Sequence, residues 1–351
     1  MLFPSKSLPW CFAALAFACS VPAQAQLLGG WLSSPDGESS YARGEHDRAV
    51  YAPADSDDGW FQRLRASLLG EDTLGDLYVM PFSHHGAERT VRIFVPAAAR
   101  HTPPEFLLLG FHGRTGTGAS LVSNSDLAEA LNQANGIGVF PDGYARSWAD
   151  GRPGTDAQNA GIDDVNFLLA LHDWLVAEYP FASGASLVAG MSNGGFMALR
   201  MYCEAADRFE AFGIVAATMP VMLGDTCLPP GPAAVRVWMG TADPTVDYEG
   251  SSSAADPAKA LMSAAGTLTR LSSLGGCQAA PQPGETVDAV DDGTAIRVFA
   301  DEACSASLVE VIDGGHTWPG GAALQGGTVS REAGAGMDLI ALYLALVDRA
   351  D

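Results

Sequence analysis

The sequence predicts an α/β fold in which helices cover both faces of a mostly parallel central sheet. Residues 106–111 form a continuous apolar run, which is typical of a strand buried on both faces. Candidate strands and helices then alternate along the chain, as parallel βαβ units require. At residues 187–202, G-x-S-x-G spacing separates a short apolar run from a helical segment, which indicates a sharp strand–turn–helix junction.

The first 25 residues have the features of a secretory signal peptide. Lys6 is their only charged residue, residues 10–18 form an apolar segment, and Ala23-Gln24-Ala25 matches an A-x-A cleavage site. We therefore expect cleavage near Ala25 and secretion to the periplasm or the extracellular space. No later segment is apolar over enough residues to predict a membrane span.

The remaining chain is predicted to form an N-terminal extension, residues 26–76, and one folded domain, residues 77–351. The extension is rich in Gly, Ser, Asp and Arg and contains one amphipathic helical stretch at residues 60–69. Strands are predicted in the domain at residues 77–82, 90–95, 106–111, 137–140, 187–189, 212–216, 235–239, 294–299 and 307–311. Helices are predicted at residues 125–134, 163–179, 196–202, 258–274 and 337–347.

Acidic residues dominate the charge of the chain. Its 41 Asp and Glu against 19 Lys and Arg give a formal net charge of −22, and Lys259 is the only lysine beyond the predicted signal peptide. Nucleic acid is not an expected partner, because its binding depends on a basic patch that displaces counterions. The simplest reason for the negative charge is that it keeps a secreted protein soluble. The same charge should slow the hydrolysis of anionic substrates at low ionic strength.

Four of the six cysteines lie beyond the predicted signal peptide: Cys203, Cys227, Cys277 and Cys304. An even number of cysteines in an exported protein indicates disulfide bonds. Pairing of sequence neighbours, Cys203 with Cys227 and Cys277 with Cys304, is the simplest of three connectivities. No C-x-x-C or H-x-x-x-H spacing indicates zinc, so we predict no metal site.

The G-x-S-x-G segment predicts a nucleophile elbow with Ser192 at its corner. Flanking glycines let the backbone turn without Cβ clashes, and the helix that follows directs its N-terminal N–H groups toward a developing oxyanion. The backbone N–H of Asn193 is the first predicted oxyanion donor. The Gly-rich turn after residues 106–111 supplies the second, the N–H of Arg114, whereas His112 is expected to be a structural hydrogen-bonding residue.

A serine hydroxyl becomes a nucleophile when a base takes its proton, and the base needs an acid partner. Asp243 in G-T-A-D-P and His316 in D-G-G-H-T-W supply both, each after a predicted strand, at the edge where open α/β sheets place ligands. The chain order Ser, Asp, His is that of the α/β-hydrolases. Asp247 and Asp225 are rival acids, but only Asp243 directly ends an apolar strand before a proline-stiffened turn.

Six motifs occur in order: F-H-G, P-D-G-x-x-x-S-W, D-D-V-N-F-L, G-M-S-N-G-G, G-T-A-D-P-x-V-x-Y-E-G and G-G-H-T-W-P-G. Over about residues 77 to 350 the chain resembles the secreted esterases of the polyhydroxybutyrate depolymerase type, relatives of feruloyl and acetylxylan esterases. The resemblance implies an α/β-hydrolase fold, a triad of Ser192, Asp243 and His316, oxyanion donors at Arg114 and Asn193, and the neighbour pairing of the cysteines. Many polymer-degrading members carry an extra polymer-binding domain, which is not expected here because the chain ends soon after the triad histidine.

Together these features predict a secreted serine carboxylesterase that hydrolyses a small ester or oligoester through an acyl-enzyme, without a cofactor. Trp148 and Trp318 lie in loops beside the predicted site, where each ring either contacts substrate or braces its loop. A binding protein on a catalytically inert hydrolase fold is the alternative from another class. A peptidase is disfavoured because no propeller or gating domain precedes the elbow. The sequence leaves the acyl group, the alcohol group and the oligomeric state open.

Overall fold

A computed structural model describes residues 39–40, 47–51, 74–178, 181–252, 256–322, 326–332 and 334–347. The predicted signal peptide and the predicted helix at residues 60–69 lie outside these ranges. Within them, no helix is both long enough and apolar enough to cross a membrane.

Twelve strands of the described chain form one sheet. They are β1 (Ser39–Ser40), β2 (Asp47–Tyr51), β3 (Gly75–His84), β4 (Ala87–Pro96), β5 (Phe106–Phe111), β6 (Ile137–Pro141), β7 (Ala185–Met191), β8 (Ala211–Val215), β9 (Ala234–Gly240), β10 (Pro283–Val287), β11 (Ala295–Phe299) and β12 (Ala306–Ile312). Their order in the sheet is β1-β3-β4-β6-β5-β7-β8-β9-β12-β11-β10, and β2 also pairs with β3. The six central strands, from β6 to β12, are parallel, and the flanking strands are antiparallel.

Eight α-helices lie in the described part of the chain. They are α1 (Gly118–Asn124), α2 (Leu127–Gln133), α3 (Asp156–Asn159), α4 (Asp164–Glu178), α5 (Asn193–Ala205), α6 (Val221–Thr226), α7 (Ala264–Leu274) and α8 (Ala335–Val347). Helices α4, α5 and α7 contribute to one apolar core, and helices α1, α2 and α8 contribute to another.

The two cores lie on opposite faces of the central sheet because successive residues of a strand point to opposite sides. In β5, Leu107, Leu109 and Phe111 belong to the first core, whereas Phe106 and Leu108 belong to the second. All six residues of β5 are buried. The structure therefore confirms a mostly parallel sheet covered by helices on both faces.

Two differences from the predicted elements have a simple physical reason. β10 was not predicted, because Pro283–Val287 is an edge strand whose residues are all exposed and therefore show no apolar pattern. The helix predicted from residue 258 begins only at Ala264, since Leu261 instead forms bridges with Pro220 and Ser251.

Two disulfide bonds join the sequence neighbours that the sequence predicts. Cys203 at the end of α5 bonds to Cys227, and Cys277 bonds to Cys304. The loops that they close span 24 and 27 residues in sequence. Loop-closure entropy of that size stabilises the folded chain by about 3.5 kcal/mol for each bond.

Candidate active site

Ser192 lies at a strained corner between β7 and α5. Its φ of 53° and ψ of −120° fall in a region that non-glycine residues rarely adopt. A Cβ on Gly190 would collide with the carbonyl of Gly194, and a Cβ on Gly194 would collide with the carbonyl of Phe111, so the turn requires glycine at both positions. The Ser192 N–H donates to Val215 O at 2.8 Å, which holds the corner against β8.

Asp243 and His316 form a hydrogen-bonded pair. His316 Nδ1 lies 2.7 Å from Asp243 Oδ2, and Asp243 Oδ1 accepts hydrogen bonds from the N–H groups of Thr245 and Val246 at 2.8 and 2.9 Å. The side chain of Asp243 is fully buried, and that of His316 is 14% exposed. Because the carboxylate accepts, the proton of a neutral imidazole lies on Nδ1, which leaves Nε2 as a base.

The three residues predicted to form the triad follow the carboxyl ends of β7, β9 and β12. These strands are parallel members of one sheet, with only β8 between β7 and β9 and with β12 next to β9. In the described residues Ser192 Oγ makes no hydrogen bond with His316, a contact that in many hydrolases tightens only when substrate binds. The rival acids Asp225 and Asp247 are exposed and form no hydrogen bond or ion pair with His316 in this part of the chain.

Two backbone N–H groups beside Ser192 have no acceptor among the described residues, those of Arg114 and Asn193. Asn193 is the first residue of α5, where a helix leaves its N–H groups unpaired. Gly113, which precedes Arg114, lies against the elbow, because a Cβ on Gly113 would be 3.5 Å from Ser192 Cβ. Both donors are therefore available to an oxyanion formed next to Ser192.

His112 orients the peptide that carries the N–H of Arg114. Its Nδ1 lies 2.8 Å from Gly113 O, and the same oxygen also accepts from the Gly116 N–H at 3.0 Å. The Nε2 atom of His112 accepts from the Gly143 N–H at 2.9 Å. The C=O and N–H of a trans peptide point in opposite directions, so these two bonds to Gly113 O set the direction of the Arg114 N–H. Burial lowers the pKa of His112, which favours the neutral ring that this bonding pattern requires.

The side chain of Asn193 anchors the loop that follows β6. Its Oδ1 accepts from the Trp148 N–H at 2.8 Å, and its Nδ2 donates to Trp148 O at 3.1 Å and to Asp150 Oδ2 at 2.6 Å. Asp150 is fully buried and also binds Arg152. Sequence reasoning missed Asp150, because an aspartate in a polar loop gives no sign of being buried.

Trp148 and Trp318 brace loops and do not line the pocket beside Ser192. Trp148 is fully buried, and its indole N–H donates to His112 O at 2.9 Å. Trp318 is 3% exposed, and its indole N–H donates to Asp126 Oδ1 at 2.7 Å. Asp126 also accepts two backbone N–H groups at the start of α8. The structure thus favours bracing over substrate contact for both rings, and Asp126 is a supporting residue that the sequence did not reveal.

A pocket of about 430 Å³ opens beside Ser192, a volume typical of small-molecule sites. Its lining comes from the elbow and the start of α5, from the loops after β5 and β6, and from the segment after β9. Apolar contacts are provided by Phe196, Val246 and Leu261. The pocket therefore joins the predicted nucleophile to a surface that can hold one end of a substrate.

No family model matches the chain. Described as a putative esterase, NocK from Nocardia uniformis is 28% identical over 249 residues, which are 67% of this chain and 72% of the relative. The probable feruloyl esterase C of Aspergillus niger is 25% identical over 137 residues, 38% of this chain, and the match spans only 47% of that relative. Among solved structures, an acetyl xylan esterase from Aspergillus awamori has a TM-score of 0.46 at 17% identity, covering 65% of this chain and 89% of its own.

The strand order agrees with the predicted α/β-hydrolase fold, and the two curated relatives agree with the predicted esterase activity. The sheet has a parallel centre with the elbow strand in its middle, and both relatives are esterases by name. The chain is an esterase of the α/β-hydrolase fold.

Proposed function

We propose that this α/β-hydrolase is a secreted serine carboxylesterase with Ser192, His316 and Asp243 as its triad. The observation that carries the proposal is the 2.7 Å hydrogen bond between His316 and Asp243 at the sheet edge where Ser192 occupies its strained corner. A buried carboxylate that holds the Nδ1 proton of an imidazole leaves Nε2 free to accept a hydroxyl proton.

The reaction follows from the role of each group. His316 Nε2 takes the proton of Ser192 as Oγ attacks the ester carbonyl carbon, and Asp243 stabilises the imidazolium that forms. The N–H groups of Arg114 and Asn193 bind the tetrahedral oxyanion. The imidazolium then protonates the leaving alcohol, which yields an acyl-enzyme. Nε2 then deprotonates a water that attacks the acyl carbon, and the imidazolium returns this proton to Ser192 Oγ as the acid leaves.

Soluble esters and short oligoesters are the proposed substrates. A pocket of about 430 Å³ accommodates an acyl or alcohol group of moderate size. The predicted signal peptide and the two disulfide bonds support secretion, because disulfides persist in oxidising compartments.

Labelling with a fluorophosphonate tests the nucleophile directly. One equivalent should attach to Ser192 of the purified protein, located by peptide mass spectrometry, and none to the Ser192→Ala variant. Turnover should be measured in parallel on short-chain nitrophenyl esters, methyl ferulate, acetylated xylan and hydroxybutyrate oligomers. A protein that takes no label and hydrolyses none of these esters would instead be a binding protein on a catalytically inert hydrolase fold.

A further inference from the structure

The pocket beside Ser192 is lined by three cationic side chains and, among the described residues, by no carboxylate. Arg114, Arg152 and Lys259 belong to the lining. In the whole chain, by contrast, acidic residues outnumber basic ones by 41 to 19. The pocket is therefore a local exception to the charge of the protein, and it contains the only lysine beyond the predicted signal peptide.

Two of these cations are available to an anion. The side chain of Arg114 is exposed and forms no hydrogen bond or ion pair within the described ranges. Lys259 pairs with Asp256 at 3.2 Å, but the two side chains are 56% and 37% exposed. An exposed pair of this kind contributes little free energy, so Lys259 can exchange its partner at small cost.

Arg152 is held in a fixed orientation. Its Nη2 lies 2.6 Å from Asp150 Oδ2, and its guanidinium carbon lies 3.2 Å from the centre of the Phe196 ring. Its Nη1 has no hydrogen-bond partner among the described residues. Arg152 thus adds an oriented donor to the lining, although Asp150 balances its charge.

We propose that this lining is a carboxylate-binding subsite, and that the enzyme prefers esters that carry a carboxylate away from the scissile bond. Half-esters of dicarboxylic acids and hydroxy-acid oligoesters with a free carboxyl end are the substrates that fit. Hydrogen bonds from guanidinium or ammonium groups to a carboxylate are charge-assisted and stronger than neutral ones. The inference names a substrate class for the proposed esterase and therefore depends on that function.

The negative charge of the protein does not oppose this preference at physiological ionic strength. The Debye length is then about 8 Å, so exposed charges elsewhere on the surface are largely screened. A lining cation in contact with a bound carboxylate is screened much less. The overall charge therefore acts mainly on the approach of an anionic ester, whereas the lining acts on its bound state.

Matched pairs of esters test the subsite. On the acyl side, the 4-nitrophenyl half-ester of adipic acid is compared with the 4-nitrophenyl ester of adipic monoamide, which has nearly the same shape and no charge. On the alcohol side, the butyrate ester of 4-hydroxyphenylacetic acid is compared with that of its amide. Each kcat/KM is measured at about 0.1 M salt with the enzyme-free rate subtracted, for the wild type, Arg114→Gln and Lys259→Gln.

Arg208→Gln is the control for the loss of one positive charge. Arg208 precedes β8, at the amino edge of the sheet and opposite the pocket, and it pairs with Asp173. In at least one pair, the ratio of kcat/KM for the anionic ester to that for its amide should exceed one in the wild type. Arg114→Gln and Lys259→Gln should each lower this ratio about two- to fivefold, the size of an exposed charge pair, and Arg208→Gln should leave it unchanged.

Two results would overturn the proposal, and they differ. If both wild-type ratios are at or below one, or if neither lining substitution lowers them, the subsite is wrong and the esterase stands. If the wild type hydrolyses no member of either pair and takes no fluorophosphonate label, the esterase is wrong and the subsite is lost with it.

Discussion

The two sides of the candidate active site are held in different ways. On the nucleophile side, buried side chains join the loops after β5 and β6 to each other and to the elbow, across sequence separations of 31 to 45 residues. On the acid–base side, backbone hydrogen bonds hold the loop that carries His316 to residues 326–328 and to Ala242. The bond between Asp126 and Trp318, across 192 residues, braces the same loop. The proposed oxyanion donors thus depend mainly on buried side chains that link loops, whereas the proposed base is held by backbone hydrogen bonds, by Asp243 and by one distant side-chain brace.

Removing a reacting group from either side should have the largest effect. Ser192→Ala on the nucleophile side and His316→Ala on the acid–base side should each reduce kcat by about 10⁴- to 10⁶-fold, because the hydroxyl and its base act as one unit. Activity is measured on a nitrophenyl ester, and circular dichroism should show an unchanged fold. Near-normal activity in purified Ser192→Ala would contradict the mechanism.

The next effect isolates the network of the nucleophile side. His112→Phe keeps an aromatic ring but removes one of the two hydrogen bonds to Gly113 O, which leaves the Arg114 N–H directed by the Gly116 bond alone. Because complete loss of one oxyanion donor reduces kcat by about 10²- to 10³-fold, the weakened donor should reduce kcat by up to that factor, and KM should change little.

His112→Asn serves as the comparison for this variant. Its side-chain amide can replace Nδ1 as the donor to Gly113 O, so it should recover part of the lost kcat. Equal kcat values for the Phe and Asn variants would show that the bond to Gly113 O does not position the donor.

On both sides, the sequence predicted the residues that local motifs mark and missed those that depend on distant contacts. Ser192, Asp243 and His316 each follow an apolar strand in a short motif, so local patterns sufficed to place them at one sheet edge. Asp126 and Asp150 carry no such pattern, because their burial and their partners depend on residues far along the chain. Among the strands, the buried runs were predictable and the exposed β10 was not.

Asp126→Asn should loosen the acid–base side. Asp126 accepts three hydrogen bonds in a buried site, from the Trp318 side chain and from the N–H groups of Gly336 and Met337. The amide offers one oxygen where the carboxylate offers two, so at least one buried donor loses its partner. The free energy of unfolding should fall by about 1 to 3 kcal/mol in urea denaturation.

The exposed residue Asp288 provides the matched control, because Asp288→Asn makes the same chemical change away from any buried donor. We expect its free energy of unfolding to stay within about 0.5 kcal/mol of the wild type. If Asp126→Asn is no less stable than Asp288→Asn, the brace does not contribute to stability.

Stability should depend on pH through two buried histidines. Burial lowers the pKa of His112 and of His172 below the ordinary 6.5. Below about pH 6.5 the unfolded chain therefore binds more protons than the folded one, and stability present in full at higher pH is lost as the pH falls toward the folded pKa. Each histidine contributes a slope of up to about 1.4 kcal/mol per pH unit.

Buried carboxyls act in the opposite direction, since burial raises the pKa of Asp126, Asp164 and Asp338 and favours the folded state on acidification. The readout is therefore the difference in unfolding free energy between the wild type and His172→Gln, followed from about pH 8 to pH 5. The variant should lose less stability than the wild type over this range. Parallel curves would show that His172 does not titrate differently on folding.

The smallest expected effect is a salt dependence of activity that reflects both the cationic pocket and the acidic surface around it. At low salt the net charge of −22 repels an anionic ester, and added salt removes this repulsion first because it acts over long distances. Contacts with Arg114 and Lys259 weaken only as the Debye length approaches about 3 Å near 1 M salt.

The ratio of kcat/KM for the adipic half-ester to that for its amide should therefore rise to a maximum near about 0.1 M salt and then fall by roughly two- to threefold. A ratio that rises steadily to 1 M would mean that surface repulsion alone governs anionic esters, and a ratio that only falls would mean that the acidic surface has no influence on them.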